Sequence, residues 1–110
     1  MIAIHGMEGA GRHVEVGGAF GVGRAALVQR LSVALNRWDA TVTEADGTGS
    51  RSHLAGLKRS NLVNRGAMRA GVQVEISWGL RKTIRSDPQA FQAVCGAVDK
   101  SLRDPIRGAV

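Results

Sequence analysis

The sequence predicts an α/β layered domain, and three observations carry that prediction: short apolar stretches of strand period closed by glycines, a central segment of helical period, and a last helix announced by an Asp-Pro pair. The run IAIHG at residues 2–6 reads as a strand that ends at His5, with Gly6 opening a turn. Residues 13–16 alternate before Gly17-Gly18 and read as a second strand. From Arg24 the period changes. Leu27, Leu31, Ala34, Leu35 and Trp38 fall on one helical face, while Arg24, Gln29, Arg30 and Asn36 fall elsewhere, so an amphipathic helix packs on the sheet. Residues 41–44 form another short strand. Residues 46–70 are rich in Gly, Ser, Asn and Arg without a sustained period, which makes them the natural place for substrate contacts. Residues 72–77 are the clearest strand. After the segment 78–85, Asp87 is an N-cap and Pro88 a first helical residue, and Phe91, Val94, Cys95, Val98 and Leu102 form the buried stripe of the last helix. The tail after Asp104-Pro105 is expected to fray.

About four short strands and two good helices are available, and the chain opens on a strand with no preceding element to cover the sheet's other side. It therefore reads as an N-terminally truncated, single partial domain over residues 1–110. The length of 110 residues suits one hydrophobic core. Hydrophobic residues make up 44% and charged ones 22%, ordinary for a soluble domain, and no apolar run approaches the roughly 20 residues of a membrane span. The first residues, MIAIHG, lack a basic head and an apolar core, so no secretory signal is visible; a cytoplasmic location, or a phage-encoded and released one, is the expectation. One cysteine, Cys95, forms no internal disulfide and reads as a small buried hydrophobe. The net charge of +6 fits an acidic polymer or nucleic acid. Its modest cluster at Arg51, Lys58, Arg59, Arg65 and Arg69 has no tyrosine for stacking, so surplus charge on a solvated loop is the favoured reading.

Two constellations bear on chemistry. HVEVGGAFGVGRAA places Gly21-x-Gly23-x-x-Ala26 between a strand and a helix, with Glu44 about 20 residues on, as a nucleotide-binding unit would. Residues 17–20 separate that strand from the Gly-x-Gly, whereas a dinucleotide fingerprint begins at the strand's end; an ordinary glycine turn is the simpler reading. The second constellation is His5 with Glu75. His5 at a strand end is compatible with a ligand site or with a plain surface histidine. Gln73, Glu75 and Ser77 share one strand face opposite Val72, Val74 and Ile76, and two accounts follow. One is an edge strand with a face in water. The other is a cleft in which Glu75 acts as general base.

These residues also carry a resemblance. Asn61-Leu62-Val63-Asn64-Arg65-Gly66, followed by Gly71-Val72-Gln73-Val74-Glu75-Ile76-Ser77 and Gly79-Leu80-Arg81, resembles the C-terminal signature of the poly-gamma-glutamate hydrolase family, mostly phage-related zinc peptidases. Ile4-His5-Gly6 and Val14-Glu15-Val16-Gly17-Gly18 resemble that family's S-I-H-G and V-Y-V-G-G strands, so the likeness runs from about Ile2 to Arg81. It implies a carboxypeptidase-like (phosphorylase/hydrolase-like) α/β fold, an open mixed sheet with flanking helices. It further implies that His5 is a zinc ligand and Glu75 the catalytic glutamate. The family's other two ligands, a histidine and a glutamate in an early H-G-G-x-I-E segment, have no counterpart here: His13 and His53 lie outside that motif, and Glu8 and Glu15 have no histidine at its spacing.

In an intact relative, zinc lowers the pKa of a bound water and polarises the amide carbonyl, while the glutamate takes the water's proton and returns it to the leaving amine. Arg65, with Asn64 beside it, is the candidate contact for a carboxylate-bearing substrate, since a guanidinium binds a carboxylate through two hydrogen bonds. The resemblance thus implies zinc-dependent hydrolysis of gamma-glutamyl amide bonds in poly-gamma-glutamate, with the metal site incomplete in this chain. Two alternatives are a small basic nucleic-acid-binding protein of replication type without catalysis, and a nucleotide-binding unit around Gly21 and Gly23.

Overall fold

Branched aliphatic residues at every second position of two strands make the apolar face of the sheet. The computed structural model describes residues 2–45 and 71–103. Strand β2 (His13–Gly17) contributes Val14 and Val16 to that face, and β4 (Val72–Ser77) contributes Val72, Val74 and Ile76, all buried. With β1 (Ile2–Met7) and β3 (Thr41–Glu44) they form an open four-stranded sheet in the order β1-β4-β2-β3. β1 runs parallel to β4 and β2 parallel to β3, but β2 and β4 are antiparallel, so the sheet is mixed.

Helix α1 (Gly21–Ala34) connects β2 to β3 in a parallel crossover and lays Leu27 and Leu31 on the valine face; Leu35, at its C-cap, is equally buried. A short 3-10 turn (Asn36–Trp38) then brings Trp38 partly into the core. Helix α2 (Trp78–Ser86) follows β4 without a loop, because Ser77 ends the strand in an extended conformation and its hydroxyl accepts from the Leu80 N–H at 3.3 Å. Helix α3 (Pro88–Arg103) starts where the Asp-Pro pair predicts, with Asp87 Oδ1 accepting from the Gln89 N–H at 2.9 Å. Burying each large aliphatic of this cluster contributes about 1.5–3 kcal/mol.

Several expectations are corrected. His5 is not at a strand end: β1 continues through Gly6 to Met7, and Gly6 pairs with Ile76 rather than turning. The Arg81 guanidinium packs directly over Gly6, where a Cβ would lie 2.8 Å from Arg81 Cζ. β4 is an inner strand, so the account of Glu75 as the water-facing residue of an edge strand does not hold. α1 begins three residues before Arg24. The stripe of α3 is rotated from the predicted one: Ala90, Val94 and Ala97 are buried and Ala93 and Val98 pack beside them, while Phe91, Cys95 and Leu102 are exposed. Small residues let α3 approach α1 closely, and that contact outweighs the greater apolar surface of Phe91 and Leu102.

Candidate functional site

The strand register assembles the polar face one rung at a time. His5 on β1 is the register partner of Glu75 on β4, Glu75 is the partner of Glu15 on β2, and Glu15 is the partner of Thr43 on β3. Register partners point to the same side of a sheet, so His5, Glu75, Glu15 and Thr43 form one row across it, with neighbouring Cβ atoms about 4.5–5.5 Å apart. Gln73, Ser77 and His13 occupy the adjoining rungs of the same face.

This face is buried despite its polarity. Glu75 is 8% exposed and Glu15 4%, whereas His5, on the outer strand, is exposed. A buried carboxylate is costly unless it is paired or hydrogen-bonded. Glu15 is held on two sides: its Oε2 lies 3.1 Å from His13 Nε2 and accepts from the Thr43 hydroxyl. His13 Nε2 and Thr43 Oγ1 are themselves 2.8 Å apart. A carboxylate only accepts, so this triangle is satisfied when His13 carries its proton on Nε2 and Thr43 donates to Glu15. Two carboxylates directly opposed across neighbouring strands repel. A polar rung departs from the apolar pattern of a buried sheet, and such departures are the kind that functional or strained sites show.

The carboxyl ends of β1 and β4 are tied together by the residues that follow Glu75. Ser77 Oγ accepts from the His13 N–H at 2.9 Å and donates to the Gly11 carbonyl at 2.7 Å, fixing the loop between β1 and β2. The Gly79 N–H donates to the Gly9 carbonyl at 2.9 Å, and a Cβ on Gly79 would collide with the Ala10 and Gly11 carbonyl oxygens. Leu80 is fully buried in the core. Arg81 donates through Nη2 to the Met7 carbonyl at 3.1 Å and lies over the Trp78 ring, 5.4 Å from its centroid. Each residue of Gly79-Leu80-Arg81 therefore has a structural task, Gly79 and Arg81 against the end of β1 and the loop after it and Leu80 in the core.

Of the residues singled out from the sequence, His5 and Glu75 are brought together, while Asn64 and Arg65, with His53, lie outside the described residues. The His13–Glu15 pair was not anticipated; the i, i+2 spacing of His and Glu on an alternating strand was its only signal. Among the described residues no group of three His, Cys, Asp or Glu side chains is arranged to hold a metal ion. A catalytic zinc takes three protein ligands and an open position, so His5 and its described neighbours do not by themselves fit that ion. The nucleotide alternative also loses its supporting geometry. Gly21 and Gly23 lie within the first turn of α1, and Arg24 Nε is 3.5 Å from Glu44 Oε2, so the two residues that would meet phosphate and ribose face each other. Arg24 also donates to the Gly18 carbonyl at 2.8 Å. No helix among the described residues is long and apolar enough to cross a membrane.

Comparison with known proteins agrees with the fold. The structure of a bacteriophage poly-gamma-glutamate hydrolase superimposes with a TM-score of 0.67 at 22% identity, covering 92% of this chain and 52% of that one. The zinc-free apo form of YNDL superimposes with a TM-score of 0.77, also at 22% identity, covering 96% of this chain and 54% of that one. The chain thus spans about half the length of either structure. No curated protein matches it. The family model described as poly-gamma-glutamate hydrolase matches residues 1–93, which is most of the sequence, and the chain belongs to that family.

Proposed function

We propose that this chain serves hydrolysis of the gamma-glutamyl amide bonds of poly-gamma-glutamate, with Glu75 as general base, His5 as a zinc ligand, and Arg65 and Asn64 as substrate contacts. The observation that carries the reading is the pairing of His5 with Glu75 on one rung, in a chain whose family model is that of a poly-gamma-glutamate hydrolase. Glu75 takes a proton from the attacking water and returns it to the departing amine, so one carboxylate performs both transfers. Its buried position removes competing solvent and strengthens its interaction with nearby charge. The described residues do not complete a zinc site, so we further propose that this partial domain does not support turnover alone and that the remaining ligands come from elsewhere.

The test is direct. The purified chain, dialysed against zinc, is assayed for metal content, for binding of poly-gamma-glutamate, and for shortening of the polymer. Polymer binding with less than about one zinc per chain and no cleavage is the expected result. One tightly held zinc with cleavage would overturn the incompleteness. Absence of any polymer binding would overturn the substrate.

A further inference from the structure

The molecule has an open groove of about 640 Å³ away from the His5–Glu75 rung, between the loop joining β1 to β2 and helix α2. Ala10 and Arg12 form one wall, and Gly79, Lys82, Thr83 and Arg85 belong to the other. Three cations line it and no acidic side chain does. All three are exposed, and none lies in an ion pair with a carboxylate among the described residues. Arg12 is anchored by donating through Nη1 to the Trp38 carbonyl at 2.9 Å, which leaves its other nitrogens available.

The groove is built by the fold rather than by chance clustering. Gly79, Lys82, Thr83 and Ser86 follow the i, i+3, i+4, i+7 spacing of one helical face, while Leu80 and Ile84 turn to the core. The opposing loop is held in place by the Gly79 N–H on the Gly9 carbonyl and by the Ser77 hydroxyl on the Gly11 carbonyl. The location also matters. Ser77 is two residues beyond Glu75, about 7 Å along the strand, and the groove opens immediately after it at the same end of β4.

We infer that this groove is a docking track for a carboxylate-bearing polymer, receiving the length of a poly-gamma-glutamate strand that continues past Glu75. The inference rests on the proposed substrate. A gamma-linked polymer carries one free carboxylate on each residue, and guanidinium and ammonium groups spaced along a groove match such a row of anions. No aromatic side chain lines the groove to stack a base, which favours a polycarboxylate over single-stranded nucleic acid.

Binding of fluorescent poly-gamma-glutamate by the full chain tests this. The groove variant combines Arg12→Gln, Lys82→Gln and Arg85→Gln; the control combines Arg37→Gln, Lys100→Gln and Arg103→Gln, exposed cations outside the groove. Both lower the formal net charge by three, and circular dichroism verifies that both remain folded. The groove variant is expected to bind about tenfold more weakly, with the control close to the parent chain. Equal weakening in both variants would reduce the effect to net charge and overturn the track, as would unchanged binding by the groove variant. A groove variant that loses duplex DNA but keeps poly-gamma-glutamate would assign the groove to nucleic acid and overturn it too. If the parent chain bound no polymer, the proposed function itself would fall; binding by the parent with no effect of the groove variant would remove only the track.

Discussion

His13 and Glu15 stand on one face of β2 with Nε2 and Oε2 3.1 Å apart, and Glu15 is in turn the register partner of Glu75. The proposed base is therefore flanked by His5 on one strand and by a second carboxylate, already held by a histidine and a threonine, on the other. Pairing Glu15 in this way offsets part of the cost of placing two carboxylates opposite each other inside a sheet.

Thr43→Val tests how firmly Glu15 is held. Valine keeps the shape of threonine and removes the hydroxyl that donates to the carboxylate. Leaving a buried acceptor short of a partner costs about 1–3 kcal/mol. The urea midpoint should fall accordingly with the denaturant slope unchanged. A loss well under about 0.5 kcal/mol would mean that His13 alone satisfies Glu15.

Glu75→Gln separates chemistry from folding and binding. The amide has nearly the same shape, so the thermal midpoint and poly-gamma-glutamate affinity should stay close to those of the parent chain. In any preparation that cleaves the polymer, such as the chain coexpressed with the uncovered part of the bacteriophage enzyme, the rate constant should fall about 10²- to 10⁴-fold. Undiminished cleavage would remove Glu75 from the role of base.

Acid should loosen the start of α3. The Trp38 indole N–H donates to Asp87 Oδ2 at 3.0 Å and the Gln89 N–H donates to Oδ1, and these bonds hold the Asp87 carboxyl below the usual value of 3.8. A carboxyl whose folded pKa is depressed adds stability that is present above the unfolded value and is lost as pH falls through the folded one. Stability should therefore decline from about pH 4 downward, and Asp87→Asn should flatten that part of the profile. Urea titrations followed by tryptophan fluorescence at neutral and acidic pH provide the measurement; identical profiles for the two chains would rule out the carboxylate as the cause.

Cys95 should react with a thiol reagent in the native chain at a rate near that of a small-molecule thiol, because it lies on the exposed side of α3. Strong protection that disappears only on unfolding would restore it to the core.

Much of the architecture was legible because hydrophobic period is a local property. Val72, Val74 and Ile76 alternate with Gln73, Glu75 and Ser77 whatever the rest of the chain does, so the strand and its two faces follow from the sequence alone. The Asp87-Pro88 start of α3 was legible for the same reason: a cap depends on neighbouring residues. The stripe of α3 was not, because Ala90, Val94 and Ala97 are buried over Phe91 and Leu102 only once α1 presents a surface that small residues can approach.

The site divides along the same line. The residue types are written in the chain itself, a histidine after an apolar run and a carboxylate on the polar face of a strand. Their meeting depended on tertiary structure, because His5 and Glu75 lie 70 residues apart in sequence and share a rung only through the register of β1 on β4. The same pairing set β4 between β1 and β2, which makes it an inner strand rather than an edge, and its polar residues Gln73, Glu75 and Ser77 are buried. It also placed Glu15, with His13 beside it, opposite the proposed base. Strand order and register are long-range choices, decided by which apolar faces pack together, and no local pattern in the chain encodes them.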